Sequence, residues 1–195
     1  MIVPVAIAGV IGLVAIRYRT LAPLGEIRFR APWTVAIALA SQLILIQVLP
    51  ASTPTVIAVV LHLASYGAAL AFVWVNRRWV GLLVVGLGGA LNLVVIAAND
   101  GVMPASDRAI ESAGLVHDDS FQNSGPVDDA ALAPLGDVFA VPEPLPLANV
   151  FSVGDVIIVI GAGVLALGAY RSAARPDDGM NLAPPEVVPP EAAET

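Results

Sequence analysis

The sequence predicts an all-α fold: a polytopic membrane bundle of five transmembrane helices, with a long, partly ordered extracytoplasmic loop between the fourth and the fifth. Three observations predict it. The chain is 57% hydrophobic with a mean hydropathy of +0.84, and its apolar residues form continuous runs instead of amphipathic stripes. Lys is absent, and eight of the nine Arg fall in three stretches: Arg17, Arg19, Arg28 and Arg30; Arg77 and Arg78; Arg171 and Arg175. Between the last two stretches, residues 100–149 hold nine carboxylates and one Arg. Basic and acidic connections therefore alternate, which places the N-terminus outside and the C-terminus in the cytoplasm. Trp33, Trp74, Trp79, Tyr18 and Tyr170 lie at the Arg-bearing ends, as an interfacial aromatic belt requires.

The first span is expected over residues 2–16, uncleaved because no positively charged leader precedes it. It is short for a hydrocarbon core of about 30 Å, so Arg17 snorkels or the helix continues through Tyr18. The second covers 33–49, bracketed by Pro32 and Pro50, with a tight turn at 51–54. The third runs 55–75 and stops at Asn76-Arg77-Arg78. The fourth runs 80–98 and stops at Asn99-Asp100-Gly101, a strong turn signal. The fifth covers 152–170. Residues 1–170 thus form one transmembrane domain. Residues 171–195 are expected to be a disordered acidic, Pro-rich cytoplasmic tail.

The loop at 100–149 is too long for a passive turn. Ser106 is placed to cap a short helix over 107–113 that Gly114 ends. Prolines make 141–147 extended or polyproline-like. Leu132, Leu135, Val138, Phe139, Leu145 and Leu147 are expected to press the loop onto the outer helix ends.

Polar side chains inside a membrane are costly, so their depth is informative. Gln42 and Gln47 on the second helix, His62 and Tyr66 on the third, Asn92 and Asn99 on the fourth, and Asp155 on the fifth all fall in the extracytoplasmic half. Gly81, Gly88, Asn92 and Asn99 share one face of the fourth helix. Gly154, Gly161 and Gly168 repeat every seven residues on the fifth. Packing these two small-residue seams together brings Asn92 and Asn99 towards Asp155.

Bland readings stand beside the functional ones. Ser152-x-x-Asp155 fits a capping box, compatible with a ligand, ion or proton role for Asp155. Asn92 and Asn99 suit interhelical hydrogen bonds, and His62 suits donating a bond to Gln42, Gln47 or a backbone carbonyl. Asp118-Asp119 and Asp128-Asp129 lack calcium-loop spacing and read as solvated, as does His117. With Asn149, Ser152 and Asp137, these inward polar groups make the candidate ligand-binding set.

Three segments in order, Asn99-Asp-Gly-Val-Met-Pro104, Pro134-Leu-Gly-Asp137 and Asn149-Val-Phe-Ser-Val-Gly-Asp155, follow four apolar spans and enter a fifth. As a set they resemble a family of small bacterial membrane proteins known only as a domain of unknown function, over residues 1 to about 170. Asp100 stands where that family more often has Gly. The resemblance implies a bacterial inner-membrane location and no activity.

The net charge of −7 sits in the loop and the tail, and no basic patch is left for nucleic acid once the Arg are assigned to the membrane surface. Without Cys there is no disulfide framework and no thiolate metal site. No catalytic motif is present, and no catalytic residue, metal site or cofactor is expected. The expected partners are the lipid bilayer and either other membrane subunits or further copies of the chain. A non-enzymatic binding, sensing or accessory protein is the first reading. A transporter or ion-conducting oligomer and an intramembrane enzyme using Asp155 and His62 are the alternatives.

Overall fold

In the computed structural model, residues 2–47, 55–115 and 124–174 are described. Among them are seven helices: α1 (Ile2–Tyr18), α2 (Ala22–Gly25), α3 (Pro32–Gln47), α4 (Thr55–Val75), α5 (Val80–Ala98), α6 (Asp107–Ser112) and α7 (Val153–Ala173). Four short strands, β1 (Met103–Pro104), β2 (Ser124–Gly125), β3 (Phe139–Val141) and β4 (Asn149–Phe151), and a 3-10 turn at Ala133–Leu135 complete the described elements. Among the described residues, three helices are long and apolar enough to cross a membrane: Val56–Val75, Val80–Ala98 and Val153–Ala173. α1 and the Pro32–Ile44 stretch of α3 are apolar but shorter. The 17 residues of α1 reach only about 26 Å at 1.5 Å per residue.

The helix ends follow local chemistry. α1 continues through Tyr18, and Arg19 turns the chain at φ +56°. α5 stops where Asp100 and Gly101 adopt φ +54° and +92°, and the Gly101 N–H closes back on the Ile96 carbonyl at 2.9 Å. α7 runs three residues past the expected end at 170, carrying Arg171 inside its last turn. The predicted turn at 51–54 and the tail beyond 174 lie outside the described residues.

The long helices pack in a row: α3 on α4, α4 on α5, α5 on α7 and α7 on α1, with α5 and α7 in the most extensive contact. Glycines permit that approach. A Cβ on Gly161 would lie 2.5 Å from the Val85 nitrogen, and Cβ atoms on Gly81, Gly88 and Gly154 would run into Leu165, the Gly154 carbonyl and Asn92. Gly168 has open space instead and is not part of the seam. α5 begins at Val80, and Gly81 already faces Leu165, so Gly168 lies past the reach of α5.

At the Arg-bearing end, Asn76 is 1% exposed and works as a clamp. Its Nδ2 donates to the Arg30 carbonyl at 2.8 Å and to the Phe72 carbonyl of its own helix at 2.9 Å, while its Oδ1 accepts from the Arg30 N–H at 2.7 Å. Arg17, Arg77 and Arg78 sit over Tyr18, Trp74 and Trp79. Trp33 and Trp74 are exposed, as a belt requires. Tyr170 departs from it: it is buried, stacks on Tyr18 at 4.4 Å and donates to the Thr20 carbonyl, pinning the connection after α1.

The described parts of the loop, 100–115 and 124–149, have defined structure. Ser106 Oγ accepts from the Ala109 N–H, capping α6, and Gly114 ends it at φ +62°. β1 pairs parallel with β2, β3 pairs antiparallel with β4, and Ala105 bridges Asp137. Ala105, Ala109, Ala113 and Val150 form a small core with Ile110 and Ala140. Two expectations are corrected. Only Val141 of the 141–147 segment is extended; Pro142–Leu147 forms successive turns, closed by Leu145 N–H to the Pro142 carbonyl at 3.0 Å and Ala148 N–H to the Leu145 carbonyl at 3.2 Å. Leu135 packs against Val95 and Ile96 of α5 and Met103 of β1. Leu132, Val138, Phe139, Leu145 and Leu147 remain exposed, because backbone pairing and Asn99 fasten the loop in their place.

Candidate functional site: a polar joint beneath the loop

Asn92 lies two turns in from the loop end of α5, where Gly88 and Gly154 let α5 and α7 close. Its Nδ2 donates to Asp155 Oδ1 at 2.9 Å, and its Oδ1 accepts from Ser152 Oγ at 2.9 Å. Ser152 and Asp155 form the predicted capping box: Ser152 N–H donates to Asp155 Oδ2, and Asp155 N–H donates to Ser152 Oγ, each at 3.0 Å. Asn92 is 4% exposed and Ser152 wholly buried. The cap of one helix is thereby bonded to the middle of its neighbour. These groups satisfy one another, so the arrangement is a closed joint with both carboxylate oxygens engaged.

Tyr66 on α4 faces this joint. It lies within reach of the Asn92 side chain and in the field of Asp155 and Asp137. Its ring meets His62 edge-on at 5.4 Å. His62, in turn, belongs to a second polar set between α3 and α4. Gln42 Nε2 lies 3.2 Å from His62 Nδ1 and donates to Ser65 Oγ at 2.6 Å, and Ser65 Oγ donates to the His62 carbonyl at 2.6 Å. Gln42 is among the partners expected for His62, but the direction is reversed: the Gln42 amide nitrogen faces Nδ1, so the imidazole accepts where it was expected to donate. Gln47 lies where side chains are outside the described residues, as do His117, Asp118 and Asp119.

Asp137 joins from the loop. It is 5% exposed, and its main chain is held by Asp137 N–H to the Pro104 carbonyl at 2.8 Å and Ser106 N–H to the Asp137 carbonyl at 3.1 Å. Ser124 Oγ donates to its Oδ2 at 2.5 Å. Burial pushes the carboxyl up to about 6; the Ser124 bond opposes the rise and the charge of Asp155 adds to it.

Asn99 stands apart from Asp155, contrary to the expectation that the two seams bring them together. Its Nδ2 donates to the Val95 carbonyl at 2.8 Å and the Ala131 carbonyl at 2.9 Å, and its Oδ1 accepts from the Ala131 N–H at 2.8 Å. α5 ends at Ala98, so Asn99 has left the helical face and captures the loop. Asn149 lies in β4 opposite Val141, and its Oδ1 accepts from the neighbouring Val150 N–H at 3.0 Å.

The structure therefore brings Asn92, Ser152, Asp155, Tyr66 and Asp137 together, links them through the Tyr66–His62 contact to Gln42, and leaves Asn99 and Asn149 in local roles. Ser65 and Ser124 were missed. Ser65 follows His62 by three positions and so shares its helix face, a readable signal. Ser124 has none, because its partner lies thirteen residues away in a loop.

Residues 26–167 match the model of a family of unknown function, DUF5317. The match begins after α1, later than the resemblance implied. No curated protein and no solved structure matches the chain.

Proposed function

The chain belongs to DUF5317, a family of unknown function, and we propose that it is a non-enzymatic integral membrane protein that binds a partner at its extracytoplasmic face, as a sensor or an accessory subunit. In this reading it crosses a bacterial inner membrane five times, with the N-terminus outside and the C-terminus in the cytoplasm. α1 and α3 serve as the two shorter spans, aided by Arg17 at the boundary. The observation that carries the reading is where buried polar groups are used. Buried Asn92, Ser152 and Asn99, with the half-buried Asp155, hold α5, α7 and the loop to one another at the end opposite the Asn76 clamp. That is how a presentation platform is built: rigid helices support an ordered cap.

The intramembrane acid–base alternative draws no support from the geometry, since Asp155 is engaged by Asn92 and Ser152 while His62 meets Gln42. Phosphatase fusions after residues 78 and 126 test the topology: the second is active and the first silent. The reverse pattern overturns the orientation. Purification from native membranes in mild detergent tests the accessory role. Wild type is expected to elute as a complex that Phe139→Ser with Leu145→Ser dissolves. A wild-type chain recovered alone counts against it.

A further inference from the structure

Between the outer ends of α1 and α7, under the β3–β4 hairpin, runs a groove of about 230 Å³. Ile2, Val3 and Ala6 form one wall, and Val156, Val159 and Ile160 the other. Val141 and Phe151 roof it. Strand alternation explains the roof. Ala140 and Val150 turn towards α6 and join the loop core, so Phe139, Val141 and Phe151 face the opposite way. Phe139 and Phe151 stack at 5.4 Å, and the half-exposed Phe139 carries the apolar surface beyond the groove.

Asp155 borders the groove only through carbon. Among the described residues the wall exposes no polar atom, and both carboxylate oxygens of Asp155 are engaged by Asn92 and Ser152. That decides the class of occupant. The volume matches about eight waters at roughly 30 Å³ each, but each water needs two or more polar partners and the described walls offer none. A charged or polar solute finds no bonding partner among the described lining residues. Hydrocarbon is what fits. The side of the groove is open along α7, where Val156 and Ile160 are exposed, on a helix long and apolar enough to cross a membrane.

We propose that this groove holds one acyl chain of an outer-leaflet phospholipid, seated between α1 and α7 beneath the Phe139–Phe151 pair. The proposal rests on the topology given above, which places this end of α7 in the outer leaflet. The groove differs from an ordinary lipid-facing surface because it encloses the chain on three sides. Exposed positions on α4, such as Val60, touch lipid on one side only.

The test uses the full chain in phosphatidylcholine vesicles carrying a small fraction of phosphatidylcholine with a photoactivatable diazirine on one acyl chain. After illumination, labelled residues are mapped by mass spectrometry. Labelling at Ala6, Phe151, Val159 and Ile160 is expected to exceed that at Val60 about tenfold, the ratio a preference of about 1.4 kcal/mol produces. Ala6→Trp, or Val159→Phe from the opposite wall, fills the groove and is expected to bring Ile160 down to the Val60 level. Even labelling of α4 and α7 in the wild-type chain, which needs no variant, overturns the groove and leaves the topology standing. Labelling on none of the helices overturns the topology beneath it. Undiminished labelling at Ile160 in an inserted filled variant also overturns the proposal.

Discussion

Replacing Asp137 by Asn should tighten the loop between α5 and α7 at neutral pH and remove most of its pH dependence. Asp137 is buried beside Asp155, and its carboxyl is raised from 3.8 to about 6. The folded loop therefore holds that proton more firmly than the open loop does. The stability this contributes is complete below pH 3.8 and is lost as the pH climbs through about 6. The difference between 3.8 and 6, at about 1.4 kcal/mol for each tenfold change in acidity, is about 3 kcal/mol. The Ser124 hydroxyl bond is already inside that figure, because it opposes the rise. Asn keeps an oxygen for Ser124 and carries no charge. Hydrogen exchange over residues 124–141, corrected for the intrinsic rate at each pH, reports the loop opening directly. Protection in wild type should grow as the pH falls from 7.5 to 4, by up to about a hundredfold for about 3 kcal/mol. Asp137→Asn should show the acid-pH protection at both ends. A wild-type loop whose protection is flat or falls in acid, or an Asn variant that keeps the wild-type slope, would refute the assignment.

Other perturbations separate the joint, the seam and the clamps. Asn92→Ala removes two side-chain bonds between α5 and α7 and leaves the buried Ser152 hydroxyl without its acceptor; thermal unfolding in detergent should show a loss of about 2–3 kcal/mol. Gly88→Val forces a branched side chain into the Gly154 carbonyl and should cost about 3 kcal/mol or more, whereas Gly168→Ala meets open space and should stay within about 0.5 kcal/mol of wild type in the same melt. Asn99→Ala should speed protease cleavage around residue 131 without affecting the opposite face, and Asn76→Ala should instead loosen residues 28–30. Equal cleavage patterns in the two variants would contradict their separate roles.

What was legible in the sequence was local or periodic. Ser106 and Ser152 announced helix starts because a cap lies within three residues of its partner. The Asn99-Asp100-Gly101 stop was readable because left-handed backbone favours those residue types. Gly88, Gly154 and Gly161 revealed the α5–α7 contact, and with it the Asn92–Asp155 bond. A period does not encode where the partner helix begins, and Gly168 was misassigned for that reason. Asn99 was carried along its helical face one residue beyond the helix. The α2 turn and the four strands escaped notice because two to four residues are too few to show a pattern. The fate of Leu145 and Leu147 depended on whether hydrogen bonds or apolar contact hold the loop, which composition does not decide.

Asn76 and Asn99 use one device at opposite ends of the bundle. Each amide donates to the carbonyl four residues back and takes both the N–H and the C=O of a distant main chain, at Arg30 and Ala131. Such a grip is blind to side-chain identity. Position 131 is free to drift through evolution among residues that keep an N–H, with Pro the forbidden letter, while the asparagine that reads it must stay. Across relatives, invariance should therefore sit on the reader and variability on what is read.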